Sequence, residues 1–183
     1  MTRIGIVGHR FFNDDNVLRF VRGQSTSILD KARNEHPDLI ALSAIAEGAD
    51  TIFAEAALAL DIPLEIVRPY QAYSVDFVTA SARDRYHRLR AAARSETQLS
   101  YMRRSNKAYE TAMNWILMRS DLLVAVWDGQ PANGPGGTGH AVHQAIQLRR
   151  SWIHLNVIDL TTTHHFTKIP NKISYKSSYA VTA

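Results

Sequence analysis

Short apolar runs alternate along the chain with longer amphipathic stretches, the pattern of strands and helices taking turns. Ile4-Gly5-Ile6-Val7 is a mostly β-branched run that stops at Gly8, as a strand buried on both faces does. From about Asp14 to Glu35, Val17, Leu18, Val21, Ile28 and Leu29 recur at roughly helical spacing, and Asp14 and Asp15 suit the N-terminal end of a helix. Leu39 to Leu42 follows Pro37 as a second strand. Asp50 to Leu60, rich in alanine and leucine, predicts a helix introduced by Glu47-Gly48-Ala49. Ile62 to Val67 is a third strand, broken by Arg68-Pro69. Ser81 to Met118 holds an arginine-dense amphipathic helix, a polar break and a second helix from about Asn106 to Met118. Asp121 to Trp127 is the clearest buried strand; a glycine-rich loop, a helix from about His140 to Arg150 and a last strand near Ile153 to Ile158 follow.

This alternation predicts an α/β protein, a Rossmann-like three-layer fold with a mostly parallel central sheet. Beyond Asp159 the composition shifts to threonine, serine, lysine and histidine without periodicity. Residues 1–159 are therefore expected to fold as one domain, and 160–183 to form a loose or partner-docked polar tail. The length of 183 residues and 45% hydrophobic content fit a single core. Without cysteine, the chain has no disulfide, thiolate metal site or cysteine nucleophile. The apolar run ahead of Gly8 is too short for a signal-peptide core, and no stretch is long enough for a membrane span, so the expected setting is cytoplasmic, away from membranes. A formal charge of +4 permits anionic ligands without requiring them.

In a doubly wound sheet, ligands sit outside the carboxyl ends of the strands, where loops lead into helix N-termini. At Gly8-His9-Arg10 the glycine lets a ligand approach the backbone and Arg10 can fork onto a phosphate; a tight turn with a surface arginine is the plainer alternative. In the Ser43 to Asp50 loop, Glu47 either accepts ribose hydroxyls or faces solvent, and Asp50 is read as a helix cap. The segment from Trp127 to Gly139 carries closely spaced glycines that can turn N–H groups inward around an anion, with Thr138 adding a hydroxyl near the helix start.

Gly134, Gly136 and Gly139 formally fit G-x-G-x-x-G, with Asp159 at a distance suited to a ribose acid. Gln130 to Asn133 separate the strand from the glycines, however, and no Gly-Lys-Ser/Thr ending follows, so neither the dinucleotide motif nor a P-loop is assigned. His140 and His143 share a helix face without a third ligand, and no metal site is expected. The seven arginines from Arg83 to Arg104 have only Tyr86 and Tyr101 among them, which favours a solvated face or a phosphate clamp over a nucleic-acid groove. Arg103, Arg104 and Asn106 precede a helix from which they can reach back over a pocket, while Met113 and Trp115 are most simply core.

In their order, these pieces resemble the SLOG superfamily, the Rossmann-like group that includes DprA and the LOG phosphoribohydrolases. The matching segments are Gly8-His9-Arg10, the Ser43 to Asp50 loop, Pro69 to Phe77, the Ser105 to Trp115 helix, and Asp121 to Gly129 ahead of Gly136-Gly137-Thr138, together spanning residues 3 to 158. The resemblance implies a pocket for nucleotides or nucleotide-derived ligands, in a group whose members either cleave N-glycosidic bonds or only sense signals such as cyclic ADP-ribose isomers. It places Gly8, His9, Arg10, Ser43, Glu47, Gly48, Asn106, Trp127, Asp128, Gly129, Gly136, Gly137 and Thr138 at the ligand. In the LOG branch a Pro-Gly-Gly-x-Gly-Thr motif runs into glutamates that serve the cleavage. Pro135 to His140 matches that frame in part, but Val142 and His143 stand where the acids would be.

Breaking a ribosyl bond benefits from a carboxylate at the reacting centre, which leaves Glu47 and Asp128 as the candidate catalytic residues. The expectation is accordingly a sensor or binding protein for an ADP-ribose-like nucleotide. A nucleoside-monophosphate N-glycosidase comes second and DprA-like binding of single-stranded DNA third. No cofactor is expected, nucleic acid is not the expected partner, and the exposed apolar faces of the two central helices suggest a homo-oligomer.

Overall fold

The structure, a computed structural model, describes residues 1–131 and 136–167. Along the chain run β1 (Arg3–Gly8), α1 (Asp15–Glu35), β2 (Ile40–Ser43), α2 (Ala49–Ala59), β3 (Leu64–Arg68), a 3-10 turn (Tyr73–Asp76) and α3 (Ala80–Ala92). They are followed by β4 (Ser95–Gln98), α4 (Asn106–Arg119), β5 (Leu122–Trp127), α5 (Thr138–Gln147), β6 (Ser151–Asn156) and β7 (Thr161–His165). The strands form one sheet in the order β4-β3-β2-β1-β5-β6-β7, parallel except for β7, which runs antiparallel to β6. The fold is the expected Rossmann-like three-layer α/β arrangement.

Side-chain alternation along the central strands divides the core into two layers. Ile4, Ile6, Leu122, Val124 and Val126 face one side, where Val21 and Leu29 of α1 and Ile52 and Phe53 of α2 cover them. Val7, Leu123 and Ala125 face the other, against Ala112, Met113 and Ile116 of α4 and Ala141 and Val142 of α5. Strands buried on both faces need apolar residues at nearly every position, which is why β1 and β5 stand out in the sequence.

The outer strands obey a different rule. β4 reads Ser-Glu-Thr-Gln and lies at the sheet edge, with Glu96 accepting hydrogen bonds from Arg68 Nε at 2.6 Å and Arg90 Nε at 2.5 Å. β7 corrects the expectation that no strand follows Asp159: the chain turns at Leu160 (φ 56°) and returns along β6, where His165 stacks on Trp152 at 4.0 Å. Residues 168–183, the rest of the expected tail, lie outside those described. Among the described residues, no helix is long and apolar enough to cross a membrane.

Candidate functional site

The winding of the sheet reverses at β1: the chain proceeds outward through β2, β3 and β4, then crosses to β5 on the other side. The strand ends part there and leave a crevice at the carboxyl side of β1 and β5. Gly8 ends β1 opposite Val126, and a Cβ at Gly8 would lie 2.4 Å from that of Ala49, so α2 starts hard against the strand end. Gly48, the N-cap of α2, has φ 97°, and a Cβ there would meet the carbonyl oxygen of Arg10 at 2.2 Å. The Ala49 N–H donates to the His9 carbonyl at 3.1 Å. This corner is the seat on which the His9-Arg10 turn rests. Across the crevice, the Gly136 N–H donates to His140 Nδ1 at 3.0 Å, and Gly137 begins α5 without a side-chain cap. The first-turn N–H groups of α5 consequently lack the hydroxyl that Ser105 supplies to α4.

Two chambers open from this crevice. The inner one, about 400 Å³, has apolar walls from residues such as Ile6, Val7, Pro69, Ala112, Met113 and Ile116, interrupted by Asp50, Tyr73, Arg104 and Tyr109. The outer one, about 330 Å³, is lined by His9, Trp127, Asp128, Gln130, Pro131 and Gly139. Gly8, Arg10, Gly136, Gly137 and Thr138 line both and form a common threshold.

Arg10 is held at that threshold by a buried polar network. The carboxylate of Asp76, only 5% exposed, accepts hydrogen bonds from the hydroxyls of Tyr70 and Tyr109 and from Arg10 Nη1 at 3.4 Å, and it faces Arg104 Nε at 4.0 Å. The Arg10 guanidinium also lies over the Tyr109 ring, 4.8 Å from its centroid. Burial, reinforced by Asp76, pushes the Tyr70 and Tyr109 hydroxyls above their ordinary range, so both remain donors. Burial also works against the charge on Arg10, but Tyr73, Tyr109 and Asp76 more than offset it. The result is a fixed cation that needs no rearrangement to meet an anion.

Asp50 is the second buried carboxyl group. Its Oδ2 accepts the Ala44 N–H at 3.2 Å. Burial pushes it up to about 7 despite opposing contributions from Ala46, Arg10, Ala44 and Ser43.

No family model matches the chain, and no curated protein matches it. Solved structures do. DNA processing protein A from Helicobacter pylori, described by its single-stranded DNA binding mode, superposes with a TM-score of 0.57 at 14% identity, over 84% of this chain and 64% of that one. DprA from Streptococcus pneumoniae gives 0.58 at 12% identity over 84% of this chain, which spans half (50%) of that protein's length. The structural genomics target TM1055 gives 0.52 at 11% identity, over 83% and 72% of the two chains. What the chain shares with them is a Rossmann-like fold. These likenesses agree with the SLOG resemblance at the level of architecture and say nothing of ADP-ribose or self-association. They lend no support to the expectation against nucleic acid.

The residues expected at a ligand fall into three groups. Gly8, Arg10, Gly136, Gly137 and Thr138 meet at the threshold, and His9, Trp127 and Asp128 line the outer chamber. There the Asp128 N–H donates to His9 Nε2 at 3.2 Å, and Gly129 (φ 81°) turns the chain so that Trp127 Nε1 donates to the Gln130 carbonyl at 2.8 Å. The remaining expected residues stand apart. Glu47 faces a separate cavity of about 160 Å³ with Thr51, Phe77 and Arg85. Ser43 is buried in its own loop, accepting the Ile45 N–H at 2.9 Å, and Gly48 serves packing. Asn106 is exposed at the start of α4, which lines the inner chamber through Tyr109, Ala112, Met113 and Ile116 instead. Gly134 and Pro135 lie outside the described residues.

Asp50 is not the helix cap expected; Gly48 holds that position, and the Asp50 carboxyl reaches back to Ala44. Sequence reading passed over Asp76, Tyr70, Tyr73 and Tyr109, although Pro69 to Phe77 belongs to the SLOG resemblance. Much of the arginine run is spent internally: Arg85 and Arg88 pair with Glu55, Arg90 with Glu96, and Arg83 donates to the Phe77 and Val78 carbonyls. Among the described residues, no three His, Asp or Glu side chains are grouped to hold a metal.

Proposed function

We propose that the cleft binds the phosphate of a nucleotide or nucleotide-derived small molecule, and that the protein acts as a sensor or binding protein. One observation carries this reading: Arg10, pinned by Asp76 and Tyr109, faces the same threshold as the uncapped start of α5. A guanidinium and free helix N–H groups converging on one space form an anion site. In this reading Arg10, Gly136, Gly137 and Thr138 hold the phosphate, and His9 and Asp128 contact what lies beyond it.

Binding is favoured over N-glycosidic cleavage because Val142 and His143 stand on α5 where the LOG resemblance would put the acids. Glu47 belongs to a different cavity, and Asp128 Oδ1 lies 3.3 Å from His9 Nε2 in the outer chamber. Incubating the purified protein with AMP, NAD and cyclic ADP-ribose isomers, following melting temperature and released base together, tests the proposal. Stabilisation without base release is expected, and it should be lost in Arg10→Ala. Release of free base would establish the hydrolase instead.

The likeness to a DNA processing protein described by its single-stranded DNA binding mode favours one other reading. An oligothymidylate that binds salt-sensitively and is not displaced by AMP would replace the small-molecule proposal with it.

A further inference from the structure

The two edges of the sheet are finished differently. β4 is guarded by charge: Glu96 pairs with Arg68 and Arg90, and a strand laid alongside would have to accommodate that ion cluster. β7 reads Thr-Thr-Thr-His-His and holds no carboxylate, lysine, arginine or proline, the residues that ordinarily keep an edge strand from pairing again. On its inner side β7 is well fastened. It lies in register along β6 from Trp152 opposite His165 to Asn156 opposite Thr161. Asp159 closes the turn before it by accepting the Thr161 N–H at 3.1 Å, and Thr162 Oγ1 donates to Gln24 Oε1 of α1 at 3.0 Å. Just beyond the strand, Thr167 Oγ1 donates to the Arg149 carbonyl at 2.8 Å. Among the described residues no strand lies on its outer side. That side offers the alternate backbone N–H and C=O groups of a strand already held in place.

The segment is patterned alike from either end. Leu160 and Phe166, 38% and 45% exposed, flank the hydrogen-bonding side chains of Thr161 to His165, and Thr163 is the midpoint. A second β7 laid antiparallel about a twofold axis at Thr163 sets Thr163 opposite Thr163, Thr162 opposite His164, Thr161 opposite His165 and each Leu160 opposite a Phe166. Opposed residues put their side chains on the same face of the joined sheet, so the apolar flanks meet and no formal charges of like sign face each other. An edge that complements itself in this way fits a second copy of the same chain, through one patch used twice.

We propose that β7 is a dimerisation edge, at which two copies of the chain pair antiparallel about Thr163 and join their sheets into one. This surface differs from the exposed faces of the two central helices that the sequence suggests for self-association, and it is independent of what the cleft binds. One pair of edge strands is a small interface, so the dimer is expected to be weak, with a dissociation constant of about 10–100 µM.

Sedimentation velocity of the full chain from about 1 to 500 µM, for the wild type, Thr163→Lys, Thr163→Glu and an equimolar mixture of the two variants, tests the proposal. The Thr163 side chain is exposed, so each variant should melt within about 2 °C of the wild type. The wild type should pass from monomer to dimer as concentration rises. Either variant alone sets two like charges face to face on the axis and should weaken dimerisation about fivefold or more; the mixture sets lysine against glutamate and should restore it to within about twofold. That rescue requires the same position of both copies to meet. The chain has no cysteine of its own, and paired Cα atoms about 4.5–5.5 Å apart suit a disulfide, so mild oxidation should cross-link Thr163→Cys and leave Met118→Cys on α4 largely uncoupled. A wild type that stays monomeric throughout, the result if residues 168–183 or a different protein take the edge, would overturn the proposal. So would a dimer that neither charged variant weakens, a mixture that fails to restore it, or cross-linking through Met118→Cys in place of Thr163→Cys.

Discussion

The carboxylates at and behind the inner chamber, Asp50 and Asp76, are buried, whereas Asp128 of the outer chamber is partly exposed. Asp76 is 5% exposed and satisfied by two tyrosine hydroxyls and Arg10, whereas Asp128 is 32% exposed, accepts the Gln130 N–H at 3.0 Å and shares one histidine nitrogen. That nitrogen cannot serve both of its contacts at once. Without a proton, His9 Nε2 accepts the Asp128 N–H at 3.2 Å; carrying one, it would donate to Asp128 Oδ1 at 3.3 Å. The difference is one of commitment: the inner network has one arrangement, and the outer pair has two of similar geometry. A ligand spanning the threshold would meet a rigid wall on one side and an adaptable one on the other.

Breaking the inner network should have the largest effect. Asp76→Ala strips Tyr70, Tyr109 and Arg10 of their shared acceptor and is expected to cost about 3 kcal/mol. At this chain length that is a fall of about 6–12 °C in melting temperature, readable by calorimetry. Removing the cation the network holds should chiefly affect binding. Arg10→Ala is expected to weaken AMP about 10- to 100-fold, the worth of a charge-assisted hydrogen bond, with a smaller change in melting temperature.

Asp50 sharpens the comparison through pH. Its folded-state value of about 7 lies above the ordinary 3.8, so its contribution to stability is whole below 3.8 and is lost as pH rises towards 7. Relative to the wild type, Asp50→Asn should gain several °C between pH 4 and pH 8, since the amide has no proton to lose. A pH-independent gap between the two melting curves would mean that Asp50 is ionised throughout. The outer chamber supplies the smallest effect. Asp128→Asn loses only a half-exposed pair and should change stability by less than about 1 kcal/mol.

The central strands were legible in the sequence because burial on both faces leaves an unbroken apolar run, as in Leu122-Leu123-Val124-Ala125-Val126. β4 and β7 were not, because an edge strand in solvent needs no apolar pattern: Ser95 to Gln98 and Thr161 to His165 carry none. The threshold glycines and Arg10 were legible as local turn chemistry. The Asp76 network was hidden because its hydrogen bonds link Tyr70, Asp76, Tyr109 and Arg10 across as many as 66 positions. In the Ser43 to Asp50 loop the sequence points to Glu47 as the ligand contact, and the carboxylate that lines the inner chamber is Asp50. Glu47 and Asp50 lie three residues apart yet line different cavities, a separation that local sequence does not reveal.

The pairing of β1 with β5, Ile4 against Leu122 through Gly8 against Val126, also bears on time. During synthesis the first strand leaves the ribosome long before its neighbour on that side, and β2 is the partner available to it first. Contacts so far apart in sequence are slow to close. The threshold, three of whose five residues are Gly136, Gly137 and Thr138, does not exist until that late strand has docked. A ligand held there would reward the finished protein only, and would pull the last folding step forward without touching those before it.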